Sequence, residues 1–236
     1  MKTDSMVRVD LEDERKLKET FDLLQRLEFR AACLEVPPKT SPQRVERAKQ
    51  LAPFRLHTRR TLRPKSREQL KSWLKYAAKE VDLVVVHSND VQVLEAAIRD
   101  ERVGALTITH GRSVASLPKG MLSLTQQHGK PVEVTFSQLL NQEGALRGRF
   151  LRQVVKVLRK VNTRRVSLIF GSEASEPTEL FHPFHMVALA HELFDIPLPD
   201  ARAGVNSNFT EMIRRIEARK DESHVMDGVR VLRSEE

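Results

Sequence analysis

One stretch of the chain carries cations with no acid among them. Between Gly148 and Val161, at 100° per residue, Arg149, Arg152, Lys156, Arg159 and Lys160 fall on one arc of a helix. Phe150, Leu151, Val154, Val157, Leu158 and Val161 fall on the opposite arc. Arg164 and Arg165 extend the basic side. Solvated helix faces usually mix signs, because like charges four residues apart repel. A face of one sign therefore points to a negative partner, and phosphate is the simplest one. A second cluster, Arg55, His57, Arg59, Arg60, Arg63, Lys65 and Arg67, follows a short strand and precedes a helix capped by Ser66. As an exposed loop it would offer planar guanidinium forks that hold phosphate in two bonds. Arg59, Arg60, Arg63 and Lys65, together with Arg112 after a later strand, are expected to contact a nucleic-acid backbone.

Three histidines, His57, His87 and His110, end successive strand-like runs, an arrangement that in an α/β barrel can hold a metal. A metal-dependent phosphoesterase of the polymerase-and-histidinol-phosphatase barrel type is the alternative reading. That type opens with a His-x-His pair, and here the first strand reads Val7-Arg8-Val9-Asp10. Carboxylates to accompany the histidines are few, with Asp90 and Glu133 the candidates. No catalytic set and no protein-bound metal or cofactor is expected. His182-Pro183-Phe184-His185 reads as a helix start. Phosphate-binding glycine loops and nucleophile elbows are missing from the sequence.

Composition agrees with a polyanion partner. In 236 residues, 40 Lys and Arg face 32 Asp and Glu, a formal charge of +8. Cys33 is the one cysteine, which excludes a disulfide framework. No segment is apolar enough to span a bilayer or resembles a secretory leader, so a soluble, cytoplasmic protein is expected. With one Trp and one Tyr there is little material for base stacking, which favours reading folded RNA by backbone and shape.

The elements that must position these residues alternate. Strand candidates are Met6–Val9, Ala31–Val36, Phe54–His57, Val81–Val86, Ala105–Ile108, Val132–Phe136 and Val166–Phe170. Helical patterns lie between them, with Ser41-Pro42 and Ser66 with Gln69 as start signals. Strand then helix, repeated about seven times, implies a parallel sheet. A TIM-barrel-like α/β fold, complete or incomplete, is the economical closure, and an open doubly wound sheet is the alternative. Residues 1–219 read as one domain and residues 220–236 as a loose polar tail.

From about Met6 to Arg219 the chain resembles the thirty-kilodalton, barrel-shaped protein subunit of archaeal and eukaryotic ribonuclease P, the archaeal form being protein component 3. The resemblance rests on Val81–Val86 followed by Ser88-Asn89-Asp90, on Val132–Phe136 with the basic helix after it, on Val166–Phe170 followed by Gly171-Ser172-Glu173-Ala174, and on Ala203–Ser207. Two departures stand out. The turn after the seventh strand carries Glu173 where the family has a Ser-Gly-Ala-like sequence, and His182-Pro183 replaces an Arg-Pro-like helix start. The resemblance implies a non-catalytic RNA-binding subunit of the endonuclease that removes 5′ leaders from precursor tRNA. It implies as partners ribonuclease P RNA, precursor tRNA, a small ferredoxin-like subunit and other protein subunits, with magnesium held by the catalytic RNA.

Overall fold

The computed structural model describes residues 1–111, 113–220, 224–226 and 229–230. In chain order the elements are β1 (Thr3–Val7), α1 (Glu14–Arg26), β2 (Ala31–Glu35), α2 (Pro42–Leu51), β3 (Arg55–Leu62), α3 (Arg67–Glu80), β4 (Leu83–Val86), α4 (Val91–Arg99) and β5 (Val103–Thr107). A hairpin of β6 (Thr109–His110) and β7 (Ser113–Val114) follows. Then come α5 (Lys119–Gln127), β8 (Val132–Thr135), α6 (Ser137–Asn141), α7 (Gly144–Thr163), β9 (Leu168–Gly171), α8 (Pro183–Phe194), α9 (Leu198–Gly204) and α10 (Ser207–Lys220). The helices start where short polar side chains take up free N–H groups: Asp13 accepts from Lys16, Ser41 from Arg44, Ser66 from Gln69, and Asp90 from Gln92 and Val93.

Seven parallel strands form one sheet in the order β1-β2-β3-β4-β5-β8-β9. The sheet all but closes. Beyond the end of β9, the Glu173 N–H donates to the Met6 carbonyl at 2.8 Å, and the Arg8 N–H to the Ala174 carbonyl at 2.8 Å. Gly171 permits this approach, since a Cβ there would sit 2.7 Å from the Met6 nitrogen. Asp4 bridges the same seam: its Oδ1 accepts the N–H groups of Met6 (3.1 Å) and Ser172 (2.9 Å). The barrel expectation holds, and the open sheet does not.

The lumen has two layers. Near the N-terminal strand ends, Cys33, Leu83, Val85, Ala105 and Ile169 pack against Phe209, Met212 and Ile213 of α10, which plugs that end. Above them the lumen is polar. Arg59 on β3 donates to the Ser5 carbonyl (2.7 Å) and to Glu133 on β8, a contact possible only across the barrel. The main apolar core lies between the outer strand faces and the helices.

Three expectations shift. The first strand starts at Thr3, not Met6. The third runs on to Leu62, so Arg59 and Arg60 belong to a strand and not to a loop. The hairpin of β6 and β7, and α9, carried no periodicity long enough to be read. Arg112 and most of the expected tail lie outside the described residues; within that tail His224–Met226 pairs antiparallel with Val229–Arg230. Among the described residues no helix is long and apolar enough to cross a membrane.

Candidate nucleic-acid interface

Helix α7 presents the basic arc as the sequence implies, and runs from Gly144 to Thr163 where the spacing marks Gly148 to Val161. Phe150, Val154, Val157, Leu158 and Val161 are buried, whereas Arg149, Arg152, Lys156, Arg159, Arg164 and Arg165 are exposed and Lys160 is half-buried. No acidic side chain pairs with any of these seven among the described residues. Among the described residues the repulsion along the face is uncompensated.

The second cluster is a correction. Arg59 is fully buried and forms its ion pairs with Glu133 and with Glu35, the latter at 3.1 Å. Arg60 alternates to the outer face of β3, where it binds the Val36 carbonyl (3.1 Å), the Pro37 carbonyl (3.2 Å) and Glu80 of α3. Arg59 spends its whole fork inside the lumen, and Arg60 is buried against the Val36 and Pro37 carbonyls and Glu80, so both leave the predicted contact set. Arg63 and Lys65, past the strand end, are exposed as expected.

The histidines separate. His57 is the third residue of β3 and packs its ring 5.9 Å from Phe209 near the plugged end. Only His87 and His110 reach the C-terminal mouth, with ring centroids 6.0 Å apart. Burial holds both near pKa 4, and both are neutral at physiological pH. His87 Nδ1 lies 3.1 Å from the Thr107 carbonyl, which can only accept, so Nδ1 carries the proton. Its Nε2 then accepts from the Ser113 hydroxyl at 3.2 Å. Glu173, in the turn after β9, anchors the mouth. It sits in the left-handed region at φ 56° and accepts from Arg8 (3.0 Å), the Gly111 N–H (3.1 Å), Thr135 (2.6 Å) and Ser137 (3.3 Å). Sequence reasoning missed Arg8 and Glu173 as a pair, since 165 residues separate them. Asp90 is spent on capping α4, and Glu133 on Arg59. Among the described residues, no three His, Cys, Asp or Glu side chains gather in a metal-binding group.

The mouth makes stability pH-dependent. The folded pKa values of His87 and His110 lie below the ordinary 6.5, so their contribution is complete above 6.5 and is lost as pH falls towards 4. Asp4 opposes them. Burial raises it from 3.8 to about 6, so its contribution is lost as pH rises through that window. Two groups outweigh one, and the urea midpoint should fall from pH 7 to pH 4, less steeply in His110→Gln. A midpoint constant across that range would contradict the assignment.

The family model for RNase P subunit p30 matches residues 1–221. The chain belongs to the RNase P subunit p30 family. It is similar to a chain in the cryo-EM structure of archaeal ribonuclease P with mature tRNA, at TM-score 0.80 and 18% identity, covering 99% of each chain. This p30 family member also shares its fold with proteins of other description. With the Aspergillus niger ochratoxinase the TM-score is 0.57 at 12% identity, over 89% of this chain and 70% of that one. With a putative histidinol phosphatase from Listeria monocytogenes it is 0.53 at 9% identity, over 78% and 99%. Identities this low speak to fold alone. No curated protein sequence matches the chain.

Proposed function

We propose that this chain is an RNA-binding protein subunit of ribonuclease P that supports, without performing, removal of the 5′ leader from precursor tRNA. The observation that carries the reading is the p30 family match over residues 1–221 of 236. The basic face of α7, without acidic partners among the described residues, supports it, as does the similar chain in the structure of archaeal ribonuclease P with mature tRNA. Its partners are ribonuclease P RNA, precursor tRNA, a small ferredoxin-like subunit and the other proteins of the complex. The RNA supplies the cleavage chemistry with its own magnesium, and the complex works in the cytoplasm. The phosphoesterase alternative loses ground because His87 and Glu173 already spend their lone pairs on Ser113, Arg8 and Thr135.

Reconstitution tests the reading. Added to the cognate RNA with the small partner subunit, the chain should raise the rate of single-site cleavage of precursor tRNA, and nuclease treatment of the RNA should abolish it. The purified, RNA-free chain should cleave nothing. Cleavage by the protein alone, lost in His87→Ala or His110→Ala, would overturn the proposal.

A further inference from the structure

A groove lies between α3, the C-terminal part of β3 and the segment Pro38-Lys39 that follows β2. Its volume is about 460 Å³, within the range of ligand pockets, and Lys39, Leu62, Arg63, Trp73 and Tyr76 are among its walls. Trp73 and Tyr76 are the chain's only Trp and Tyr. They stand one turn apart on α3, and 37% and 66% of their surfaces are exposed. Among the described residues neither ring packs on another aromatic ring or lies beneath a cation. Large aromatic surface left open side by side over a cavity is surface that something covers.

Charge says what covers it. Both acids that border the groove are already engaged. Glu35 accepts from Arg59 Nε (3.1 Å) and from the N–H and hydroxyl of Thr61 (2.6 and 2.8 Å), while Glu80 holds Arg60. Lys39 and Arg63 are exposed and have no acidic partner among the described residues. The groove thus joins an aromatic floor to a rim of free cations. An unpaired nucleotide answers both at once, with its base against the rings and its phosphates on the cations. An apolar protein anchor would cover the floor and leave the rim uncompensated.

We propose that this groove binds an unpaired nucleotide of RNA, its base against Trp73 and Tyr76 and its flanking phosphates on Lys39 and Arg63. The identity of that RNA as part of the ribonuclease P system rests on the function proposed above; the binding chemistry does not. The paucity of aromatics, which in sequence argues against stacking, is offset by placing the two together.

Because Trp73 is the only tryptophan, its emission reports this site and no other. The full chain would be titrated with single-stranded oligoadenylate, with an abasic oligomer of equal length and with an RNA duplex. Oligoadenylate should quench Trp73 saturably, and the other two should leave the emission nearly unchanged. Tyr76→Ala, which keeps the reporter and removes an exposed ring, should weaken oligoadenylate binding about tenfold. Lys39→Gln with Arg63→Gln should flatten the salt dependence by about one to two units. Binding of oligoadenylate without quenching, or with equal affinity in Tyr76→Ala, overturns the site. Quenching by the purified partner subunit instead of by RNA assigns the groove to protein and likewise overturns it. If the chain fails to associate with ribonuclease P RNA while oligoadenylate still quenches Trp73, the site stands and the subunit reading falls. Association with unaltered Trp73 emission does the reverse.

Discussion

Truncating Glu133 to Ala should lower the unfolding free energy by about 3–5 kcal/mol, the usual cost of leaving a buried charge without its partner. Arg59 and Glu133 are each fully buried, and they meet across the barrel lumen. Burial works against the charge on Arg59, but Glu133 and then Glu35 outweigh it and hold the guanidinium more firmly protonated than usual. With Glu133 gone, the Arg59 fork keeps only Glu35, at the edge of the lumen, with the Ser5 carbonyl and the Thr61 hydroxyl. Arg59→Ala should be as damaging, because Glu133 would keep the Ser5 hydroxyl at 2.6 Å and no cation. The double variant Arg59→Met with Glu133→Leu orphans nothing, and should cost less than either single change. Urea unfolding followed by circular dichroism measures all three. Single variants within about 0.5 kcal/mol of the parent would describe an exposed arginine and refute the buried pair.

That pair also shows where the sequence stops being legible. The alternation of β3, Arg55-Leu56-His57-Thr58-Arg59-Arg60-Thr61-Leu62, has the period of a strand. Its charges make it look like a solvated loop, because the partner that neutralises Arg59 lies 74 residues away. A pairing that distant leaves no local trace, and the same holds for Arg8 with Glu173. What was legible had local causes. Leu83–Val86 is apolar on both faces because helices cover one side and the lumen lies on the other. Ser41, Ser66 and Asp90 cap helices through their own next turn. The α7 arc was legible for the same reason, since a helix face is set by spacing alone. His57 misled because the visible strand run ended early. Its true place, beside Cys33 near the N-terminal end of the sheet, depends on the register of β2 with β3.

Replacing Arg152, Lys156 and Arg159 together by Gln should flatten the dependence of log RNA affinity on log salt by about two to three units. Each phosphate neutralised releases counterions worth about 0.7–0.9 in that slope. The three side chains are exposed on one side of α7, where with Leu151 and Val155 they line a shallow open groove. None pairs with an acidic side chain among the described residues, so their removal should relax repulsion along the helix and leave its buried face of Phe150, Val154, Leu158 and Val161 intact. The unfolding midpoint should therefore stay level or rise slightly, and a loss of affinity cannot be charged to misfolding. An acidic surface on a protein partner is the competing occupant of this arc, and it makes the opposite forecast. The salt slope of the isolated chain would then stay as it is, while capture of the small partner subunit would fail. Because one triple variant carries both readouts, a flattened slope with partner capture retained assigns the arc to phosphate, and an unchanged slope with capture lost assigns it to protein.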